Sequence, residues 1–91
     1  MTQNNVQVRQ FEGRNGAVKN QFVIRTTDGV YFQSYESMIV AKLNDGTILL
    51  DEKYWDYSNT TGKYRNQFLN ETKKQTEQKI KQGIYKLVNL N

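Results

Sequence analysis

The spacing of apolar residues along the chain changes once, near Asp51. Before that point they alternate with polar residues in short runs; after it they recur every third or fourth position. A period of two marks a strand with one buried face, and a spacing of three to four marks a helix with one apolar stripe. Val6 and Val8 alternate with Gln7 and Arg9 and lead to Phe11, which predicts a first strand. Phe22, Ile24 and Thr26 alternate with Val23 and Arg25 in a second. In a third, Val30, Phe32 and Ser34 share one face, while Tyr31, Gln33 and Tyr35 share the other. Met38–Leu43 is apolar on both faces until Lys42, as a more central strand would be, and Thr47–Leu50 follows.

The breaks between these runs carry turn chemistry. The chain has no proline, so turns fall to Gly, Asn and Asp, which tolerate positive φ. Gly13-Arg14-Asn15-Gly16, Asp28-Gly29 and Asn44-Asp45-Gly46 give three hairpin signals in series and predict an antiparallel meander. Beyond Asp51, Tyr64, Phe68, Leu69, Thr72, Thr76 and Ile80 fall at helical spacing. Asp56 or Ser58 suits the N-cap, and Gly62 weakens the first turns by about 1 kcal/mol relative to Ala. Thr72-Lys73-Lys74-Gln75 reads as a capping box, predicting a break near Asn70 and two helices, with one long kinked helix as the alternative. Lys79 and Lys81 suit a last turn and Gly83 a terminator, after which Ile84–Val88 alternates as a final strand returning to the sheet. The predicted class is α+β, one domain over residues 1–91 with residues 1–5 frayed. It comprises an antiparallel meander of four to five strands, one or two helices packed on one face, and a C-terminal strand.

Composition narrows the chemistry. With 36% hydrophobic residues in 91 and a mean hydropathy of -0.85, the core must be lean and lean on its aromatics, six Tyr, four Phe and one Trp. There is no Cys, hence no disulfide, no thiolate nucleophile and no thiolate zinc site. There is no His either, which removes the commonest general base and the usual triad partner. These absences point to a non-enzymatic protein without metal or cofactor. Asp51-Glu52-Lys53 with Asp45 upstream is similar to the carboxylate–lysine pattern of restriction-type nucleases, in which acids hold Mg²⁺. The spacing is short for that family, and a turn, a cap and surface positions account for the same residues. No apolar run approaches the ~20 residues of a membrane span, and the first ten residues lack a signal-peptide core, so a cytoplasmic protein is expected.

The net charge of +4 is unevenly distributed. Residues 1–57 carry six Lys/Arg and seven Asp/Glu, for −1; residues 58–91 carry seven and two, for +5. An excess of this kind suits an acidic partner: nucleic acid, a nucleotide or an acidic protein face. A solvated lysine face is the plainer explanation. Thr61-Gly62-Lys63 has the look of a phosphate-loop fragment, but the earlier Gly and a Ser/Thr after the Lys are missing. Lys63, Arg65, Lys73 and Lys74 are the candidate anion contacts, and Trp55, Tyr57 and Tyr64 the candidate aromatic anchors. Together with Tyr31 and Tyr35, and with Tyr54 close to Lys53, these rings also suit a stacking platform for a single strand, against a core role in so lean a domain.

Three stretches are distinctive: Phe32-Gln33-Ser34-Tyr35 with Ser37, Leu50-Asp51-Glu52, and Trp55-Asp56-Tyr57-Ser58 leading through Thr60, Thr61, Lys63 and Tyr64 to Phe68-Leu69. Together they resemble a group of small bacteriophage proteins of uncharacterised activity, over roughly residues 20–90. The resemblance implies phage origin and expression in the cytoplasm of an infected bacterium; it supplies no cofactor and no binding residue. Small phage domains without catalytic residues often act by binding and blocking a host protein, in host defence for example. The expectation is therefore a binding module for a host protein or anionic ligand, with a nucleic-acid-binding accessory protein as the alternative and a Mg²⁺-dependent nuclease as a remote third. Exposed strand edges leave room for a homo-oligomer.

Overall fold

The computed structural model describes residues 6–13 and 16–91. The meander forms as the alternation predicts. β1 (Gln7–Gly13), β2 (Gly16–Arg25), β3 (Gly29–Ser34), β4 (Ser37–Leu43) and β5 (Ile48–Asp51) pair antiparallel in sequence order. Helices α1 (Asn59–Leu69) and α2 (Lys73–Lys81) then carry the chain to β6 (Tyr85–Val88), which pairs parallel to β5 at the edge. Parallel neighbours require such a crossover, so the two helices are the connection that makes the sixth strand possible. The fraying expected of residues 1–5 and the tip of the Gly13–Gly16 turn fall outside the described residues; the flanking pair Gly13↔Gly16 is in register.

The register assigns faces. Arg9, Val23, Phe32, Val40, Leu50 and Leu87 form one row across the sheet, facing the helices. Phe32, Val40 and Leu50 are fully buried there. Phe32 stacks on Phe68 of α1 at 5.7 Å and meets Phe11 edge-on at 5.6 Å, while Phe11 packs on Tyr64 at 5.5 Å. Ile39 is the extra residue of a bulge on β4, where the register slips between Phe32↔Val40 and Gln33↔Met38. That bulge is why Ile39, Val40 and Ala41 are all buried in succession. Val6 and Val8 fall on the other face and remain exposed.

The helix boundaries follow side-chain chemistry. Ser58, not Asp56, caps α1, its Oγ accepting from Thr61 N at 3.1 Å. Asn70 closes α1 at φ 55, and the Thr72–Gln75 capping box opens α2, so there are two helices. Asn70 can take this left-handed conformation at lower cost than most residues. Glu71 ties the junction down: its buried carboxylate accepts from Lys79 Nζ at 2.6 Å and Thr76 Oγ1 at 2.9 Å. Burial pushes the Glu71 carboxyl up, but hydrogen bonds from Lys79, Tyr85 and Thr76 outweigh it and hold it below its ordinary value.

Tyr35 is a correction to the strand pattern. It does not share a strand face with Tyr31; it leaves the sheet in the Tyr35-Glu36 turn with φ 55. No Gly, Asn or Asp marks that turn, so alternation alone carries the third strand one residue too far.

Candidate binding site

Asp51 organises the segment that follows the meander. Its Oδ2 accepts from Lys53 N at 3.0 Å and Tyr54 N at 2.8 Å, and its Oδ1 from Leu90 N at 2.8 Å. One buried carboxylate thereby fixes both the turn after β5 and the tail after β6. Burial pushes the Asp51 carboxyl up, and hydrogen bonds from Leu90, Tyr54, Asn91 and Lys53 more than reverse this, leaving it below its ordinary value.

Arg65 supports the same segment from beneath. The side chain is 1% exposed; Nη1 donates to the Trp55 carbonyl at 2.6 Å and to Asp56 Oδ1 at 3.1 Å, and Nη2 donates to Asn66 Oδ1 at 2.9 Å. Asp56 is shared with Lys73, whose Nζ lies 2.8 Å from Oδ2. Burial raises the Asp56 carboxyl, but hydrogen bonds from Lys73 and Arg65, with their charges, lower it below its usual range. Gly62 is buried directly over this guanidinium, 3.6 Å and 3.7 Å separating its Cβ position from Nη2 and Nη1.

The supported segment walls a cleft of about 390 Å³. Tyr54, Tyr57, Ser58 and Thr61 form one side; Ser34, Tyr35, Glu36, Ser37 and Ile39, from the β3–β4 turn and the start of β4, form the other. Ser34 Oγ and Thr61 Oγ1, 2.9 Å apart and buried, join the sides at the floor. The Tyr54 and Tyr57 rings pack at 5.4 Å with an interplanar angle of 60°. Tyr35 is held in its left-handed conformation by its N–H, donating to Asn20 O at 2.7 Å, and by its carbonyl, accepting from Gln33 Nε2 at 2.7 Å. Tyr57 is 70% exposed and Tyr35 55%. The lining is therefore aromatic and hydroxyl-bearing, with Glu36 its one charged side chain. The size suits a peptide side chain or a small molecule, and the chemistry suits a neutral or cationic group better than an anion.

The residues expected to bind are thus dispersed. Arg65 faces inward and is committed to Trp55, Asp56 and Asn66; it offers no outward anion contact. Trp55 is half-buried under that guanidinium and packed against the core, so it is a packing residue more than an anchor. Tyr64 is half-buried on Phe11. Lys73 is exposed but paired with Asp56. Lys63 lines a separate groove of about 340 Å³ with Lys19 and Tyr64, and Lys74 a third one along α2. Tyr57 alone reaches the tyrosine cleft. Tyr35, expected on a strand face beside Tyr31 as part of a stacking platform, stands instead at the rim of this cleft, and Glu36 carries no sequence signal, because the turn that presents them has no Gly, Asn or Asp. The nuclease pattern does not assemble: Asp51 spends its oxygens on backbone N–H groups, and Asp45 accepts from Thr47 N in its own turn at 2.9 Å. Among the described residues, no three His, Asp or Glu side chains converge as a metal site would require.

A model of a family of unknown function, DUF8033, matches residues 5–85. The chain belongs to the DUF8033 family. Among curated proteins and among solved structures, nothing matches it. The match spans β1 to β5, both helices, the first residue of β6 and every residue lining the tyrosine cleft. In this DUF8033 chain no helix of the described residues is long and apolar enough to cross a membrane.

Proposed function

We propose that this DUF8033 chain is a phage-encoded, non-enzymatic binding module that acts in the infected bacterium by occupying a host protein through the tyrosine cleft. The observation that carries this reading is Tyr35. A bulky residue held at φ 55 costs about 1–2 kcal/mol, yet its ring is left in solvent at the rim of a cleft beside exposed Tyr57. The backbone there closes the β3–β4 turn, which glycine would close without that cost, and tyrosines flanked by serines are efficient protein contacts. The resemblance of the Trp55–Leu69 segment supports phage origin; inhibition of host defence is one role such occupancy would serve.

The test is differential capture. Wild-type, Tyr57→Ala and Lys63→Glu proteins are used as baits in lysate of the infected host. A host protein retained by wild type and Lys63→Glu but lost by Tyr57→Ala supports the reading. No partner with any bait, or one indifferent to Tyr57, overturns it.

One observation favours nucleic-acid binding as the second reading. Lys19, Lys63 and Tyr64 share a groove, and the Lys63 ammonium lies 5.3 Å from the Tyr64 ring centroid. This reading requires oligonucleotide affinity that falls steeply with added salt and weakens in Lys63→Glu. Absence of binding at low ionic strength dismisses it.

A further inference from the structure

Resting on the reading of the tyrosine cleft as the contact with a host protein, we infer that the cleft takes an arginine side chain of that protein. Its two most exposed rings, Tyr57 and Tyr35, stand on opposite sides of the opening. The cleft holds about 390 Å³, room for one long side chain. Its lining carries a single charge, Glu36 beside Tyr35, and no lysine or arginine. The face of a tyrosine ring is the negative side of its quadrupole, so the rings and the carboxylate favour a cation alike.

The rest of the fold shows what its aromatic faces accept. Trp55, Tyr54, Tyr64, Phe68 and Tyr85 each have a lysine or arginine of the chain itself 4.5–5.6 Å from the ring centroid. Among the described residues, no such cation covers Tyr35 or Tyr57. Lys53 approaches Tyr54 at 5.6 Å without lining the cleft, so the two exposed rings are the ones left for a cation from outside.

The shape of the site selects arginine. A guanidinium is planar and weakly hydrated, and it stacks on a ring while its donors diverge in its own plane. Acceptors stand around the cleft to meet them: the Glu36 carboxylate on one side, and the hydroxyls of Ser37 and Ser58 on either side. A lysine ammonium is a strongly hydrated point charge that would forfeit both the stacking and the fork. The start of α1 lies at the cleft, and a helix N-terminus draws anions. Ser58 Oγ already takes Thr61 N there at 3.1 Å, however, and the charge on the opposite side, Glu36, would repel an anion.

The test titrates the purified full chain with the peptide acetyl-Gly-Arg-Gly-amide and follows the NMR signals of the Tyr35 and Tyr57 rings. The same peptide with citrulline, an uncharged isostere, or with lysine in place of arginine is the control, and needs no variant of the protein. The arginine peptide is expected to shift both rings, with the citrulline peptide at least about tenfold weaker and the lysine peptide at least about threefold weaker. Glu36→Gln, in an exposed turn, is expected to keep the wild-type circular dichroism spectrum and to lose at least about threefold in affinity for the arginine peptide. No binding of the arginine peptide at about 10 mM, equal binding of either control, or shifts confined to the Lys63–Tyr64 groove overturns the inference. Glu36→Lys, added to the baits in infected lysate, separates this inference from the reading it rests on. A host protein lost by Tyr57→Ala but retained by Glu36→Lys overturns the arginine and leaves the cleft as the contact; one indifferent to Tyr57 overturns the cleft reading itself.

Discussion

Arg65 donates to the backbone carbonyl of Trp55 at 2.6 Å while its guanidinium lies 5.2 Å from the centroid of that same residue's ring. One side chain on α1 therefore grips both the backbone and the indole of the segment that walls the cleft. A planar guanidinium can do this and still reach Asp56 and Asn66, because its donors diverge in one plane. Lysine has the charge without the fork.

Replacing Arg65 should expose this role. Arg65→Ala removes the donors to Trp55, Asp56 and Asn66 together and is expected to destabilise the fold by about 2–4 kcal/mol in urea denaturation. Arg65→Lys should recover part of that loss and no more. Asp56 is partly solvated, so Asp56→Asn should cost less than either. If Arg65→Ala melted like wild type, the buried network would not be holding the segment.

Much of this architecture was legible in the sequence, and the site largely was not. The meander, the break at Asn70, the Thr72–Gln75 box and the returning strand all rest on local signals: alternation, turn residues and capping chemistry. The direction of Arg65 rests on a contact across ten residues with the Trp55 carbonyl, which no local pattern encodes. At helical spacing Arg65 stands one position after Tyr64 and three before Phe68, so its inward face was available to be read, but a basic residue there suggests solvent. The turn at Tyr35 is illegible for the opposite reason. Its turn is stabilised by Asn20 and Gln33 rather than by a residue that prefers positive φ.

Asp51 makes the stability depend on acid. Its folded carboxyl titrates below its ordinary value of 3.8, so its contribution is fully present above that value and is lost as pH falls through the lower folded one. Three backbone donors converge on the Asp51 carboxylate, so Asp51→Asn turns an amide NH2 against at least one of them and should cost about 1–3 kcal/mol at neutral pH. Because wild type surrenders this contribution in acid, the gap between the two proteins should narrow as pH drops below the ordinary carboxylate range. Denaturation midpoints measured from neutral to strongly acidic pH would show it; a gap constant with pH would remove Asp51 as the source.

Two glycines should respond oppositely to alanine. At Gly62 an added Cβ meets Arg65 Nη2, Nη1 and Asp56 Oδ1 at 3.6, 3.7 and 3.8 Å, ordinary contact distances, inside a helix. Gly62→Ala should therefore stabilise by about 0.5–1 kcal/mol, from helix propensity and a less disordered unfolded chain. At Gly29 the same atom would collide with the Lys42 carbonyl oxygen on β4, so Gly29→Ala must push two paired strands apart. A melting temperature above wild type for Gly62→Ala and below it for Gly29→Ala is the expected pair of results.

Tyr35 separates folding from binding. Its φ of 55 is one that glycine adopts without penalty, and its ring is more than half exposed, so little packing is lost on removing it. Tyr35→Gly should therefore hold or raise stability, by up to about 1 kcal/mol once the greater freedom of glycine in the unfolded chain is subtracted. The same change removes one of the aromatics at the cleft rim and should weaken capture of the partner that Tyr57→Ala also loses. A protein more stable yet less able to bind is what strain retained for contact predicts. If Tyr35→Gly were instead clearly less stable than wild type, the ring would be serving the fold, and its exposure at the rim would need no partner to explain it.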